Sequence, residues 1–352
     1  MDLFHLLKTL INIPSPTGSE GPLADFLAAE LARLSFRVRQ QRLEGDRRNV
    51  WITDGTTPRV ILCTHMDTVP GEARAAEDDK FIYGRGACDA KGSMGAMIAA
   101  AERLAAEGQS GFGLLFVAGE ETDSLGARRA NEESPGSEFI VVGEPTGNRL
   151  GLGHKGTLFI RLTARGKGAH SAMPQLGESA VDKLLDVLND IRKIEFGVDE
   201  QLGPTLVNIG RIEGGVGVNI VADRAMADLA VRPAVSVADA FDRVAERTAG
   251  RAEIEVLTKS EPQRLWTMDG FATAIFPFGT DIPHLPALGK PFLYGPGEPG
   301  WAHAAAERVE KSHLTAAVDG YCRLVRGFLA DVPLRAPNPT SGSVKETAGP
   351  RP

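Results

Sequence analysis

The chain has no uninterrupted apolar run long enough to cross a bilayer, a task that takes about 20 residues in a helix, so no membrane association is expected. Cysteine is scarce: Cys63, Cys88 and Cys322 make neither a disulfide framework nor a CxxC pair, which suits a reducing, cytoplasmic setting. There is no block of lysine and arginine, and the formal net charge is −7. Nucleic-acid binding wants a basic face, so no such partner is expected. The opening "MDLFHLLKTLINIPSPTG" lacks a basic stretch and a small-residue cleavage site, and no signal peptide is expected. A G-x-S-x-G elbow is missing too, which removes the commonest serine-nucleophile arrangement.

What is there is an ordinary globular composition, 42% hydrophobic and 24% charged over 352 residues, enough for two domains. Residues 19–36 carry helical spacing. Three strand-length apolar runs follow, "RVILCT" (59–64), "FGLLFVA" (112–118) and "FIVV" (139–142). Between the first two lies an Ala-rich helix (91–108), and after the second a short helix with Ser124 as its expected cap. This alternation predicts an α/β domain with a mostly parallel sheet. From about 156 the order becomes βαββαβ, the ferredoxin-like α+β arrangement, inserted as a smaller domain. The expected organisation is 1–155 with 263–335 as the catalytic domain, 156–262 as the insert, and 336–352 as a disordered Pro/Gly/Ser-rich tail.

Each of the three runs is followed at once by an acid or histidine: His65 in "LCTHMDTVP", Glu120 and Glu121 in "GEE", Glu144 in "GEPT". One such residue is an ordinary turn. In an open parallel sheet, however, the carboxyl ends of the strands line a single crevice, so these groups are expected to converge. Asp89, just before the Ala-rich helix, and His303, between the late strand "KPFLYGPG" and a helix, complete the set. Two imidazoles and three carboxylates suit zinc, with cobalt or manganese as substitutes. Five groups exceed one tetrahedral site with an open position and suit two metals sharing a carboxylate. Neighbouring side chains at a strand end point oppositely, so Glu121 binds metal while Glu120 faces water as a general base.

Other motifs carry less. "GLGHKG" (151–156) matches G-x-G-x-x-G but leads into a strand rather than a helix, so a dinucleotide site is not expected and His154 reads as structural. Cys63 lies in an apolar strand, and Cys88 has no base of its own.

Taken together, "HMDTVP", "YGRGACDAKG", "GEE", "VGEPT", "GKGAHSAMP" and "YGPGEPGWAH" resemble the M20 metallopeptidase family, over residues 4 to 330 and in the family's order. The family includes acetylornithine deacetylase, succinyl-diaminopimelate desuccinylase, carboxypeptidase G2 and lysine-releasing deacylases. The resemblance implies a zinc pair bridged by Asp89, with His65 and Glu144 on one metal and Glu121 and His303 on the other. Asp67 would orient His65, and Glu120 would be the base. It also implies that the inserted domain is a dimerisation lid whose His170 reaches the neighbouring subunit's site in a homodimer. Asn219 and Arg232 match positions that contact the substrate carboxylate, and Gly279 and Thr280 of "FGTD" a segment near the pocket. The chain departs from many relatives in lacking a helix before "FGTD", and in the alanine after His303.

The expected activity is hydrolysis of an N-acyl-L-amino acid, first of all deacetylation of an N-acetylornithine or N-acetyl-lysine in arginine or lysine biosynthesis. Cleavage of dipeptides or C-terminal residues on the same scaffold is the alternative. A catalytically silent metal-binding protein is the remote one, disfavoured because every ligand and the base are present.

Overall fold

The computed structural model describes residues 2–338 except Ser35 and Ala73. Most of the tail expected over 336–352 lies outside the described residues. The chain divides into two compact units, the first made of Met1–Leu152, Leu265–Ala274 and Thr280–Pro337, the second of Gly153–Arg264 with Ile275–Gly279.

The first unit is built on a six-stranded sheet, in the order 37–42, 48–53, 112–117, 60–65, 139–142, 290–293. The strand Val60–His65 runs parallel to both its neighbours, and Lys290–Leu293 is parallel to Phe139–Val142. The sheet is therefore mostly parallel, as the alternation of elements predicts. The first two strands form an antiparallel edge. They do not stand out in sequence because Arg37–Arg42 reads RVRQQR, with only Gln41 fully buried. Val60–His65 is buried at every position. A strand covered on both faces reads as a continuous apolar run, which is why this one is legible without alternation.

Helix Lys91–Ala106 covers the sheet through Met94, Met97, Ala100, Ala101 and Leu104, and helix Lys311–Leu329 packs into the same core through Val318, Tyr321 and Phe328. Lys91 is itself buried, its Nζ donating to the carbonyls of Leu10 and Ile13 at 3.0 and 2.8 Å. The amino end of this helix is thereby tied to the carboxyl end of helix Leu3–Asn12. The short helix Leu125–Glu132 departs from expectation. Ser124 adopts a left-handed conformation (φ 51°) and makes no capping bond; Asp123 accepts the Leu125 amide instead, at 3.1 Å.

The second unit has a four-stranded antiparallel sheet in the order 206–214, 224–232, 157–165, 253–260. With helices Ala180–Ile191 and Val237–Thr248 this is the βαββαβ arrangement in ferredoxin-like strand order. Period-2 burial sends Leu158, Ile160, Leu162 and Ala164, with Ala227, Leu229 and Val231, to one face. There they meet Leu184, Val187, Leu188 and Val244 from the helices. Each large side chain so buried contributes about 1.5–3 kcal/mol. The solvent face carries an Arg161–Asp228 ion pair at 2.7 Å. Both helices start at serines that cap in the ordinary way, Ser179 accepting from the Asp182 amide and Ser236 from that of Asp239.

Candidate active site

His65, Asp67, Asp89, Glu120, Glu121, Glu144 and His303 all belong to the first unit. His65 is the last residue of the central parallel strand, Glu144 follows the strand Phe139–Val142, and Glu120 and Glu121 follow Phe112–Val117. Parallel neighbours end at one edge of the sheet, which brings residues distant in sequence together. Asp89 precedes helix Lys91–Ala106. His303 follows the 3-10 turn Pro299–Trp301 in a left-handed conformation (φ 60°), and a short strand, Arg308–Glu310, lies between it and helix Lys311–Leu329.

The ligand atoms fall into two triads, His65–Asp89–Glu144 and Asp89–Glu121–His303, each with its atoms within 4.8 Å of one another. Asp89 belongs to both. Its Oδ1 lies 3.0 Å from His65 Nε2 and its Oδ2 3.3 Å from His303 Nε2. His65 Nε2 also stands 3.9 Å from Glu144 Oε2, and His303 Nε2 stands 2.9 Å from Glu121 Oε1. One carboxylate thus offers a separate oxygen to each half, the geometry of a bridging ligand. The His65 side chain is 1% exposed and that of His303 49%, so the cluster opens towards solvent at the second triad.

Asp67 does not hold the His65 ring with its carboxylate alone. The His65 Nδ1–H donates to the Asp67 backbone carbonyl at 2.8 Å, with Oδ1 farther off at 3.5 Å. This fixes the tautomer and leaves Nε2 free to face Asp89. The buried carboxylate has a different task. Oδ1 accepts the amides of Gly119 and Glu120 at 2.9 and 3.0 Å, and Oδ2 accepts the amide of Glu121 at 3.1 Å and the Thr17 hydroxyl at 2.8 Å. Glu120 and Glu121 therefore sit in a turn nailed down by Asp67, not at alternating strand positions. Gly119 takes φ 88°, and a side chain there would run into Arg47, which is paired with Asp123 of the same turn at 2.7 Å.

Four carboxylates crowded here cannot all be charged without compensation. Burial pushes the Glu120 and Glu144 carboxyls well up, and raises Glu121 less. Hydrogen bonds to Asp89 and Glu121 lift His303 to about 10, and those to Asp67 and Asp89 lift His65 against the opposing effect of burial. Burial also raises Asp89, but the two imidazoles outweigh it and hold the carboxyl well below its usual range. The cluster draws positive charge inwards, and the donor set suits two divalent cations in place of two imidazole protons.

Sequence reasoning missed three neighbours. Asp281, next to Thr280, is buried, and burial lifts it to about 7 against the opposing effect of Ser124. Glu307 and Arg85 flank Asp89. In sequence, Asp281 closes "FGTD", Arg85 lies within "YGRGACDAKG" and Glu307 follows shortly after His303, but nothing marks them as parts of one site. Thr280, in the first unit, accepts the Ile282 amide at 3.1 Å.

The remaining candidates lie in the second unit. A two-stranded ribbon pairs His170 with Ile220, and the Ser171 amide donates to the Asn219 carbonyl at 3.0 Å, so His170 and Asn219 are neighbours, both exposed. Arg232 donates to Thr157 Oγ1 at 2.8 Å and lies 4.9 Å from the centre of the Phe159 ring. Gly279 adjoins both Thr157 Oγ1 and Arg232 Nη1, where a side chain would collide. His154 is buried, its Nδ1–H donating to the Lys155 carbonyl at 2.9 Å.

The family model described as Peptidase family M20/M25/M40 matches residues 61–327. A peptidase M20 domain-containing protein of Schizosaccharomyces pombe is 38% identical over 338 residues, spanning 92% of this chain and 84% of that protein. A probable carboxypeptidase of Aspergillus fumigatus is 36% identical over 381 residues, spanning 93% of this chain and 86% of that one. The crystal structure of a tripeptidase from Staphylococcus aureus shares the fold with a TM-score of 0.78 at 21% identity, over 93% of this chain and 98% of that one.

Proposed function

Since the chain belongs to peptidase family M20/M25/M40, we propose that it is a two-metal hydrolase cleaving the amide of an N-acyl-L-amino acid with a free α-carboxylate. The observation that carries this reading is the division of Asp89's two oxygens between the two triads. His65 and Glu144 hold one cation, Glu121 and His303 the other. Zinc suits this mixture of imidazole and carboxylate, with cobalt or manganese able to replace it. The bound pair supplies Lewis acidity, activating water near neutral pH and polarising the acyl carbonyl.

The chain's own residues do the rest. Glu120, which belongs to neither triad and accepts no backbone amide among the described residues, takes the proton from water as it adds to the carbonyl and returns it to the departing amine. Glu120 is half-buried in the turn held by Asp67, which keeps it beside both triads. In the second unit, residues 156–262 act as the lid and dimerisation domain. His170 steadies the oxyanion from a neighbouring subunit, while Arg232 and Asn219 receive the substrate carboxylate. A guanidinium already braced by Thr157 and stacked on Phe159 loses little freedom in gripping that group. Gly279, with no side chain, lets Thr157 and Arg232 keep this arrangement, and Thr280 follows it in the chain.

N-acetylornithine and N-acetyl-lysine are the first substrates to test. The carboxypeptidase reading is favoured by the name of the Aspergillus fumigatus relative and differs only in the acyl group, an aminoacyl or peptidyl residue instead of acetyl. Release of free amine is to be measured over acetyl-, succinyl- and glutamyl-blocked ornithine and lysine, alongside dipeptides. Turnover of the acetyl compounds alone supports the deacetylase. Preference for dipeptides supports the peptidase. No release from either set, with metals bound, rejects both.

A further inference from the structure

Glu307 is 2% exposed and lies between His303 and the strand Arg308–Glu310. Its Oε1 accepts the backbone amides of both Cys88 and Asp89, each at 3.0 Å, while Oε2 receives Arg85 Nη1 at 2.6 Å. Its own carbonyl accepts the Gly84 amide at 3.0 Å, extending the antiparallel pairing of Arg308–Glu310 with Phe81–Tyr83. The loop carrying His303 and the loop carrying Asp89 thus spring from one ribbon, and Glu307 locks them together just beyond its end.

We propose that Glu307 is a positioning residue for the metal pair: it fixes the Asp89 backbone relative to His303, so that the Asp89 carboxylate presents one oxygen to each triad. This rests on the two-metal reading above. A carboxylate suits the task for a physical reason. It must satisfy two buried amides with one oxygen and a guanidinium with the other, and charge-assisted bonds are shorter and stronger than neutral ones. Partners behind metal ligands matter because ligand orientation sets affinity, and their removal typically costs 10–100-fold in metal binding.

The test uses the full chain stripped of metal and titrated with cobalt(II), following binding by calorimetry and the visible absorption of the bound ions. Glu307→Met keeps the side-chain volume and removes the acceptors. It is expected to weaken cobalt binding about 10–100-fold and to alter the absorption bands. Glu307→Gln retains one oxygen for the two amides but loses the bond to Arg85, and is expected to recover part of the affinity. Wild-type affinity and spectrum in a folded Glu307→Met chain, whatever its heat stability, would overturn the proposal. Should that variant not fold, Arg85→Met, which frees the second carboxylate oxygen, reads the same quantities; an unchanged affinity and spectrum there also overturn it. If the unaltered chain binds no cobalt pair, the two-metal reading fails first and takes this one with it.

Discussion

The backbone amide of Glu120 donates to Oδ1 of Asp67 at 3.0 Å. Through that bond, and those to Gly119 and Glu121, a buried carboxylate on the central strand's exit sets the turn that carries both the proposed base and a proposed ligand. Its carbonyl meanwhile sets the His65 tautomer. Asp67→Ala orphans three amides and a hydroxyl, and is expected to cost about 3–5 kcal/mol in stability, the range for breaking a buried charged network. Denaturant titration measures the loss. In whatever fraction folds, kcat should fall much more than KM rises.

Glu120→Gln removes the proton acceptor with little change of shape. Turnover is expected to drop about 10²–10⁴-fold, while metal content by elemental analysis stays that of the unaltered chain. A variant that turns over normally removes Glu120 from the mechanism.

Prolonged chelation should abolish amide hydrolysis, and zinc or cobalt should restore it. His303→Ala dismantles the half-exposed triad only, so one ion per chain instead of two is the expected stoichiometry, with activity lost. Retention of two ions would show that His303 is not a ligand.

His154 makes the second unit acid-sensitive. Burial lowers its pKa from 6.5 to about 4, with Arg232 adding to the effect against the bond to the Lys155 carbonyl. A depressed folded-state pKa means that the neutral ring's contribution is present above pH 6.5 and is lost as pH falls towards 4. The loss amounts to about 3 kcal/mol by linkage. Thermal melts between these limits should slope downwards on acidification, and His154→Gln should flatten that slope.

The proposed metal ligands were legible because they follow recognisable signals. Val60–Cys63 is an unbroken apolar run, and a chain leaving a buried parallel strand emerges at one edge of the sheet, so the sequence alone groups His65, Glu121 and Glu144. The strand Arg37–Arg42 could not be read, since its register depends on pairing with Arg48–Thr53 and not on its own apolar content. Ser124 misled because an N-cap is a conformation before it is a residue type, and at the end of the turn held by Asp67 and Arg47 this serine is left-handed.

By itself, the sequence determined which strands end on acids and histidines, and so which side chains are proposed to bind metal, because hydrophobic periodicity and strand ends are local properties. Tertiary structure alone decided what holds those side chains at bonding distance. Asp67 beneath the Glu120 turn and Glu307 beneath Asp89 act on backbone amides far away in the chain, and a buried amide accepts whichever carboxylate the fold brings to it.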